Sequence, residues 1–477
     1  MTATERPVGR IADGLPGMRR VNTVHFVGIG GAGMCGIAEV LVNLGYTVTG
    51  SDIARSPATE RLSALGVPVD LGHGGGRAAA ADVVVTSSAI APENAEVRLA
   101  QAHRVPVVPR AEMLGELMRH RHGIAVAGTH GKTTTTSLIT AVLQAAGRDP
   151  TFVIGGLLSS EGRGAALGAG PYLVAEADES DASFLYLQPM VAVVTNIDRD
   201  HMATYGHDFE RLKAAFVDFV HRLPFYGVAV LCLDDPHVEG SVGELARPVL
   251  TYGVHPNADF RAVDVNASGP CWSFTAIRRG HSDLSVRLPL PGMHNVKNAL
   301  AAIAVATDDG IADEHIVGAL GRFSGVDRRF QVTEGSVADA AVTLVDDYGH
   351  HPTEVRAVIE TARRVWPDRR LVMVYQPHRY SRTRDLYDDF VAVLPGVDLL
   401  IVVDVYAAGE EPLPGADGRA LCQGIRQLGA LNPIFAESPD AACEVLPSVL
   451  RDGDVLVVQG AGNVNQVSAR VRGGAGG

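Results

Sequence analysis

The strongest chemical signal in the sequence is a short glycine loop that ends in lysine and threonine. Residues 128–135 read GTHGKTTT and follow an apolar run at residues 124–127. Successive backbone amides of such a loop can wrap triphosphate oxygens, while Lys132 neutralises the β- and γ-phosphates and the Thr133 hydroxyl ligates Mg²⁺. The general P-loop has four residues between its glycines, but this one has only two. The sequence therefore predicts a nucleotide site on a shortened variant of that loop.

Acidic residues follow a second apolar run. Residues 176–181 read EADESD and come directly after residues 172–175, YLVA. Carboxylates at the C-terminal end of a strand beside a phosphate loop are typical Mg²⁺ ligands, because Mg²⁺ prefers hard oxygen donors. Without the phosphate loop, a solvated acidic turn would be the better interpretation.

A polar segment of a different kind follows residues 191–194, VAVV. Residues 195–201 read TNIDRDH. An asparagine, two aspartates and a histidine at a strand end could hold a second metal ion or an acyl group. Because a single histidine is usually structural, His201 is a candidate only together with its neighbours.

A second glycine loop lies near the start of the chain. Residues 28–33, GIGGAG, fit the G-x-G-x-x-G pattern between a predicted strand and a predicted helix. Such a loop lets the backbone approach a diphosphate at a helix N-terminus, and Asp52 lies where an acid could bind ribose. NAD, another dinucleotide-like ligand such as a UDP-sugar, and a tight turn without a ligand all remain open on this pattern alone.

The last part of the chain carries clusters of arginine, histidine and tyrosine. Arginine and histidine at a strand end can bind a small carboxylate, and an exposed charged loop is the alternative. Asparagine can read an adenine edge, but residues 293–295 by themselves predict only a helix N-cap. These clusters lie at residues 328–329, 346–351 and 378–382, and the asparagine-containing segment at residues 293–295.

These motifs sit in a repeating pattern of strands and helices. Residues 23–27, 34–44 and 46–49 predict a strand–helix–strand unit, and the pattern restarts near residues 124 and 371. We therefore expect an α/β protein of three domains, each with a mainly parallel sheet. The predicted domains are residues 1–120, 121–325 and 326–477. The first and third are expected to be Rossmann-like, and the central one of P-loop type.

Composition narrows the function classes. The 477 residues carry a net charge of −13, which disfavours nucleic acid and anionic membranes as partners. The five cysteines are scattered without CxxC spacing, which indicates a reducing cytosol rather than a disulfide framework or a zinc site. No signal peptide and no apolar run of the ~20 residues that span a membrane are evident.

Taken together, the motifs resemble the Mur ligase family from about Val21 onwards. The strings that carry the resemblance include HFVGIGGAGMCGIAEVL, PRAEMLGELM, GTHGKTTTT, EADESDASF, TNIDRDHMATYG, DDYGHHPTEV and QPHRYSRTRDLYDDF. The short phosphate loop fits that family. Cys35 stands where a small residue such as serine is expected.

The resemblance implies a role for each candidate residue. The first domain would hold a UDP-sugar rather than NAD, with contacts from Gly28, Gly30, Gly31, Gly33, His73, Ser87 and Ser88. ATP would be bound by Gly128, Thr129, His130, Gly131, Lys132, Thr133, Thr134, His294, Asn295, Arg329 and Asp347. Mg²⁺ would be held by Thr133, Glu176 and His201, and the catalytic residues would be Lys132, Glu176 and His201. The amino acid would be held by Tyr348, His350, His351, Arg379 and Arg382.

The resemblance also implies a reaction. We expect an ATP-dependent ligase that joins L-alanine to the lactyl carboxylate of UDP-N-acetylmuramate through an acyl phosphate, in the cytoplasm, as a monomer or homodimer. The form of the first loop, GIGGAGM, favours this over a family member that attaches a preformed peptide. A NAD-dependent dehydrogenase or an inactive binding protein would leave the second loop and its acids unexplained. The preference among alanine, serine and glycine stays open.

Overall fold

The computed structural model describes residues 18, 20–31, 33–87, 89–158, 163–338 and 340–473. Strands and helices alternate along these residues and form sheets of five, ten and six strands. The predicted fold class, three α/β domains with mainly parallel sheets, is confirmed. By its internal contacts the chain divides into two compact units. The first comprises Met1–Ala262, Ala276–Leu284 and Lys297–Leu320, and the second Val263–Thr275, Ser285–Val296 and Gly321–Gly477.

The five-stranded sheet is parallel throughout, in the order β3-β2-β1-β4-β5. Its strands are β1 Thr23–Val27, β2 Thr47–Asp52, β3 Val69–Leu71, β4 Val83–Thr86 and β5 Val107–Pro109. Its helices are α1 Met34–Asn43, α2 Pro57–Ala64, α3 Arg77–Ala80, α4 Ala95–Ala102 and α5 Arg110–Met118. The glycine loop at residues 28–33 thus connects the central strand to α1, which is where open parallel sheets place ligands.

The ten-stranded sheet has the order β15-β14-β13-β12-β11-β10-β6-β9-β7-β8. Its strands are β6 His122–Ala127, β7 Thr151–Leu158, β8 Arg163–Ala166, β9 Tyr172–Glu176, β10 Val191–Val194, β11 Val228–Cys232, β12 Val249–Gly253, β13 Phe260–Ser268, β14 Cys271–Arg278 and β15 Leu284–Leu288. The helices are α6 Lys132–Ala145, α7 Phe209–His221, α8 Pro236–Ser241, α9 Met293–Asp308 and α10 Asp313–Arg322, with 3-10 turns at Ser183–Tyr186 and Val242–Glu244.

The strand order of this sheet brings three motifs to one edge. Strand β6 pairs in parallel with β9 on one side and with β10 on the other. The carboxyl ends of parallel strands point the same way, so the segments that follow them lie side by side. The phosphate loop after β6 is therefore flanked by the acidic segment after β9 and by the TNIDRDH segment after β10.

The six-stranded sheet has the order β16-β17-β21-β18-β19-β20, with only β16 and β17 antiparallel. Its strands are β16 Gln331–Val337, β17 Ala340–Asp347, β18 Leu371–Tyr375, β19 Leu399–Val403, β20 Ile434–Ala436 and β21 Val455–Gln459. Its helices are α11 Pro352–Val365, α12 Tyr380–Asp385, α13 Tyr387–Val393, α14 Gly418–Gln427, α15 Pro439–Val449 and α16 Asn465–Gly473, with a 3-10 turn at Leu394–Gly396.

One continuous apolar core joins the five-stranded sheet to the ten-stranded sheet, which is called the central sheet below. It includes Phe26 from the first sheet, Ile37 from helix α1, and Ala125 and Leu173 from the second sheet, all fully buried. Helix α1 approaches β8 closely at Gly36, where a Cβ would lie only 2.8 Å from the Ala165 Cβ. The glycine loop and the phosphate loop therefore belong to one rigidly packed body, the first compact unit.

Where the chain is described, no helix combines the length and the apolar character that crossing a bilayer requires.

Replacing Gly36 with valine should destabilise the protein, because the new side chain would overlap Ala165 and approach Val153. Overpacking of a tight core costs about 1–3 kcal/mol, which a lowered thermal unfolding midpoint would register. Gly243→Val is the matched control, since no heavy atom lies within 4 Å of a Cβ at that position. Equal midpoints for the two variants would contradict the close packing of α1 on β8.

Candidate active site

The phosphate loop is shaped by two glycines in backbone conformations that other residues rarely adopt. Gly128 has a φ of 128° at the end of β6, and Gly131 has a φ of 85° as the residue that precedes α6. A Cβ at Gly128 would collide with the Thr195 hydroxyl, and one at Gly131 would lie 2.8 Å from Asn298 Oδ1. Both positions need glycine for conformation and for space. Thr133 and Thr134 are buried in the first turn of α6.

The TNIDRDH segment holds this loop in place. The Asn196 side chain accepts a hydrogen bond from His130 N at 2.8 Å and donates one to His130 O at 2.9 Å. The Thr195 hydroxyl donates to the same carbonyl at 2.6 Å, and Thr129 Oγ1 accepts from Asp198 N at 2.9 Å. The asparagine side chain, which the sequence offered as a metal or acyl ligand, thus fixes the backbone of the phosphate loop, and the main chain of Asp198 holds the Thr129 hydroxyl.

Lys132 is held by a carboxylate that sequence reasoning did not single out. Its ammonium donates to both oxygens of Glu179, at 2.9 and 2.8 Å, and to the carbonyls of Gly128 at 2.6 Å and Thr129 at 3.2 Å. The two side chains are only 17% and 3% exposed. Burial alone would lower the pKa of Lys132, but Glu179, Asp178 and Glu176 outweigh it and hold the pKa above its ordinary value. The lysine is therefore charged.

Three carboxylates of the acidic segment act on this lysine, which concentrates negative charge at the phosphate loop. Glu176 ends β9, and its Oε1 accepts from Gly155 N at 2.8 Å. Burial alone would raise the pKa of Asp178, but Lys132, a hydrogen bond from Ser180 and the Arg110 guanidinium lower it to about 2. Carboxylate oxygens are the hard donors that Mg²⁺ prefers.

His201, the remaining predicted metal ligand, lies seven residues beyond the end of β10. Its backbone has a φ of 53°, a conformation that is uncommon outside glycine. The Asp200 carboxylate accepts from its backbone N–H at 2.9 Å and lies 3.5 Å from its Nε2. The aspartate thus orients the imidazole, as second partners of metal-binding histidines commonly do.

The glycine loop of the first sheet is braced by Asp52. Its Oδ2 accepts a hydrogen bond from Gly30 N at 2.8 Å, so the acid that could have bound ribose supports the loop itself. Gly28 has a φ of 78° and donates to Ser51 O at 2.8 Å. Gly31 accepts from the first residues of α1, and Gly33, with a φ of 76°, precedes that helix.

His73 belongs to a buried network at the end of β2. Its Nδ1 lies 2.9 Å from Ser51 Oγ, and that hydroxyl donates to Glu96, which is also 3.6 Å from His25 Nε2. Burial alone would raise the pKa of Glu96, but His25, the Ser51 hydroxyl and His73 lower it. Ser87 follows β4 and its carbonyl accepts from Ile90 N. Ser88 lies outside the described residues.

The predicted adenine contacts lie at the start of α9. The expectation that residues 293–295 form an N-cap is wrong, because the helix already begins at Met293. Asn295 lies in the first turn and donates from Nδ2 to Pro291 O at 2.7 Å. His294 packs against Gly292, whose φ is 100°.

Asp347 ends β17, and Tyr348 follows directly after the strand. The buried Asp347 carboxylate accepts from Phe330 N, Gly349 N and Gln459 Nε2 at 2.7–2.9 Å, so both of its oxygens organise the protein backbone and core. Burial raises its pKa, and Arg329 opposes this. The Arg329 guanidinium lies 5.2 Å from the centre of the Tyr348 ring, at cation–π distance.

The predicted amino-acid residues divide into an aromatic group and an arginine loop. The rings of Tyr348 and His350 are 5.7 Å apart, and those of His350 and His378 are 5.3 Å apart. His351 is buried and caps α11 by accepting from Thr353 N at 3.3 Å.

The arginine loop precedes and begins α12. Arg382 is buried and its Nη1 lies 3.2 Å from both Nδ1 and the carbonyl of His378. Arg379 is 45% exposed, has a φ of 70° and pairs with Glu410 at 3.4 Å. Glu410, which sequence reasoning missed, also accepts from Ser381 N and Oγ at 2.9 and 2.6 Å. This carboxylate fixes the loop that presents Arg379.

Family comparisons cover nearly the whole described chain. Residues 23–122 match the family model described as Mur ligase family, catalytic domain. Residues 126–306 match the Mur ligase middle domain, and residues 328–462 the Mur ligase, glutamate ligase domain.

Solved structures of similar proteins agree with these matches. The UDP-N-acetylmuramate-alanine ligase MurC of Thermotoga maritima is 29% identical, with a TM-score of 0.79 over 94% of this chain and 98% of that one. A murein peptide ligase of Psychrobacter arcticus is 25% identical, with a TM-score of 0.69 over 94% and 98%. The UDP-N-acetylmuramate:L-alanyl-gamma-D-glutamyl-meso-diaminopimelate ligase of Neisseria meningitides is 30% identical, with a TM-score of 0.59 over 65% and 100%.

Removing the Glu179 carboxylate should destabilise the nucleotide-free protein. Glu179→Ala leaves a largely buried ammonium with two carbonyl acceptors, and breaking a buried pair in this way costs about 3–5 kcal/mol. The thermal unfolding midpoint measures the loss. Glu210→Ala is the control, because its pair with Lys213 is exposed and worth about 0–1 kcal/mol. A Glu179→Ala midpoint equal to that of the control would show that Lys132 does not depend on this carboxylate.

Proposed function

Since the chain belongs to the Mur ligase family, whose members are ATP-dependent ligases of peptidoglycan synthesis, we propose that it joins L-alanine to the lactyl carboxylate of UDP-N-acetylmuramate. The observation that carries the choice of amino acid is the likeness to the alanine-adding enzyme of Thermotoga maritima over nearly the full length of both chains. The charged lysine of the phosphate loop supports the ATP-dependent step.

The first chemical step activates a carboxylate, which is a poor electrophile by itself. A lactyl carboxylate oxygen attacks the γ-phosphorus of ATP, ADP leaves, and an acyl phosphate forms. Lys132 offsets the charge on the transferred phosphoryl group, and the loop amides position the phosphates. Asn196 and Thr195 fix the loop backbone at His130, whose own N–H already donates to the Asn196 side chain, so the loop keeps its shape before ATP arrives.

Mg²⁺ fits the donors at this site. Thr133 and Glu176 would hold one ion and His201 a second, and bound Mg²⁺ neutralises phosphate charge during the transfer. Glu176 brings a hard carboxylate oxygen at the end of β9, next to the strand that leads into the phosphate loop. The Asp200 carboxylate, 3.5 Å from Nε2 of His201, orients the imidazole ring.

The second step forms the amide. The free amine of alanine attacks the carbonyl carbon of the acyl phosphate, and the tetrahedral intermediate collapses with loss of inorganic phosphate. The enzyme must therefore bind alanine through its carboxylate and leave the lone pair of the amine free to attack. Arg379 and Arg382 are the cations proposed for that contact, and planar guanidinium groups suit a carboxylate's two oxygens.

A second candidate is a ligase that attaches a preformed peptide to the same UDP-sugar. The likeness to two peptide ligases, at 25% and 30% identity, favours it. Such an enzyme would take the amine of a tripeptide where we propose that of free alanine, with the same phosphoryl transfer.

Phosphate release distinguishes the two candidates. The purified protein is incubated with ATP, Mg²⁺ and UDP-N-acetylmuramate, together with single amino acids or with L-alanyl-γ-D-glutamyl-meso-diaminopimelate. Turnover should require all three substrates, and free alanine should support it best. Turnover with the tripeptide but not with alanine would select the peptide ligase. Product that depends on NAD, or that forms without ATP, would rule out both.

Loss of Arg379 or Arg382 should weaken alanine binding selectively. Arg379→Ala or Arg382→Ala removes a charge-assisted contact worth about 1.5–3 kcal/mol, which corresponds to a roughly ten- to hundredfold higher KM for alanine. Values of KM for ATP and the UDP-sugar should move much less in steady-state kinetics. Arg384→Ala is the control, because its exposed side chain pairs only locally with Asp385. If both arginine variants keep the wild-type KM for alanine, its carboxylate binds elsewhere.

A further inference from the structure

Arg110 lies beside the glycine loop of the first sheet, although no sequence motif assigned it a role. It is the first residue of α5, directly after β5. A Cβ added to Gly33 would lie 2.6 Å from its Nη1 and 3.5 Å from its Cζ. The guanidinium therefore lies directly against Gly33, the residue that precedes α1.

The same guanidinium reaches the acidic segment of the central sheet. Its Nη2 donates to Asp178 Oδ2 at 3.0 Å. Helix α5 is held close to that region, because a Cβ at Gly115 would lie 2.7 Å from Tyr186 O in the turn after the acids. One side chain thus touches both the proposed sugar-nucleotide loop and the carboxylates around the phosphate loop.

The Arg110 and Asp178 side chains are 25% and 37% exposed, so the pair is partly accessible to solvent and to a ligand. A planar guanidinium whose direction is fixed by a carboxylate is well suited to bind phosphate or carboxylate oxygens. The guanidinium can lie this close to the loop because residue 33 is glycine. A side chain at that position would overlap Nη1 of Arg110.

We propose that Arg110 binds an anionic oxygen of the nucleotide sugar at the glycine loop and that Asp178 orients its guanidinium for that contact. The inference rests on the proposed function, because it takes the ligand of the loop to be a UDP-sugar. The oxygen belongs either to the diphosphate, which the loop itself would face, or to the lactyl carboxylate. Both are anions that the guanidinium recognises by the same hydrogen bonds.

Isothermal titration of the full-length protein with UDP-N-acetylmuramate, without ATP, tests the contact. Arg110→Ala should raise the dissociation constant roughly ten- to hundredfold, and Arg110→Lys should raise it less, because the charge remains. Arg119→Ala is the matched control directly after the same helix, since that exposed arginine pairs locally with Glu116. The KM for ATP should stay within about twofold in all three variants, and the stoichiometry of the titration, which a loss of folded protein would lower, should stay at the wild-type value.

A second titrant identifies the oxygen. UDP-N-acetylglucosamine has the diphosphate but lacks the lactyl carboxylate. An equal loss of affinity for both sugars in Arg110→Ala assigns the contact to the diphosphate, and a loss for UDP-N-acetylmuramate alone assigns it to the carboxylate.

Loss of the Arg110 contact and absence of the proposed reaction would give different experimental results. If wild-type protein makes the amide and Arg110→Ala binds UDP-N-acetylmuramate as tightly as Arg119→Ala, Arg110 does not touch the substrate. If Arg110→Ala is poorly folded, Arg110→Met, which keeps the apolar stem and loses the charge, carries the test, and unchanged affinity in that folded variant overturns the contact. If the wild-type protein binds neither UDP-sugar, the function proposed for the loop is wrong and the inference falls with it.

Discussion

The buried ion pair between Lys132 and Glu179 fixes the position of the phosphate-loop cation. An ammonium with three N–H donors faces four acceptors, two from Glu179 and one each from the Gly128 and Thr129 carbonyls. A phosphate oxygen can gain a hydrogen bond from this lysine only if one of those acceptors releases it. The carboxylate therefore keeps the lysine charged and in place inside the protein, and ATP must compete with it.

The strand order of the central sheet explains how such a site can be built. Strands β9 and β10 flank β6, so each side of the phosphate loop receives one polar segment. One segment supplies the carboxylates that surround Lys132, and the other supplies Asn196 and Thr195, which fix the loop backbone. Arg110 extends this arrangement to the glycine loop of the first sheet. Charge and hydrogen bonding thus connect two loops that are far apart in sequence.

Local signals in the sequence predicted the strands, loops and helices that carry the site. The contacts between those segments depend on strand pairing over long sequence distances, which the local signals do not contain. The strand–loop–helix around Lys132 was predictable because glycine conformation and helix start are local properties. Glu179 was visible only as one acid among four, because its pairing with Lys132 depends on β9 lying beside β6. Asn196 shows the same limit, since an amide that binds backbone and an amide that binds a ligand look alike in sequence. Asn295 was misplaced because helix boundaries are weakly encoded.

In the reaction proposed for this chain, the phosphate loop activates a carboxylate as an acyl phosphate. UDP-N-acetylmuramate labelled with oxygen-18 in its lactyl carboxylate tests this directly. Attack of a carboxylate oxygen on the γ-phosphorus, followed by displacement by the amine, carries that oxygen into the released phosphate. Mass spectrometry of the phosphate should find one labelled oxygen per molecule formed with alanine and ATP. Unlabelled phosphate from a reaction that makes the amide would contradict the acyl phosphate and the role given to Lys132.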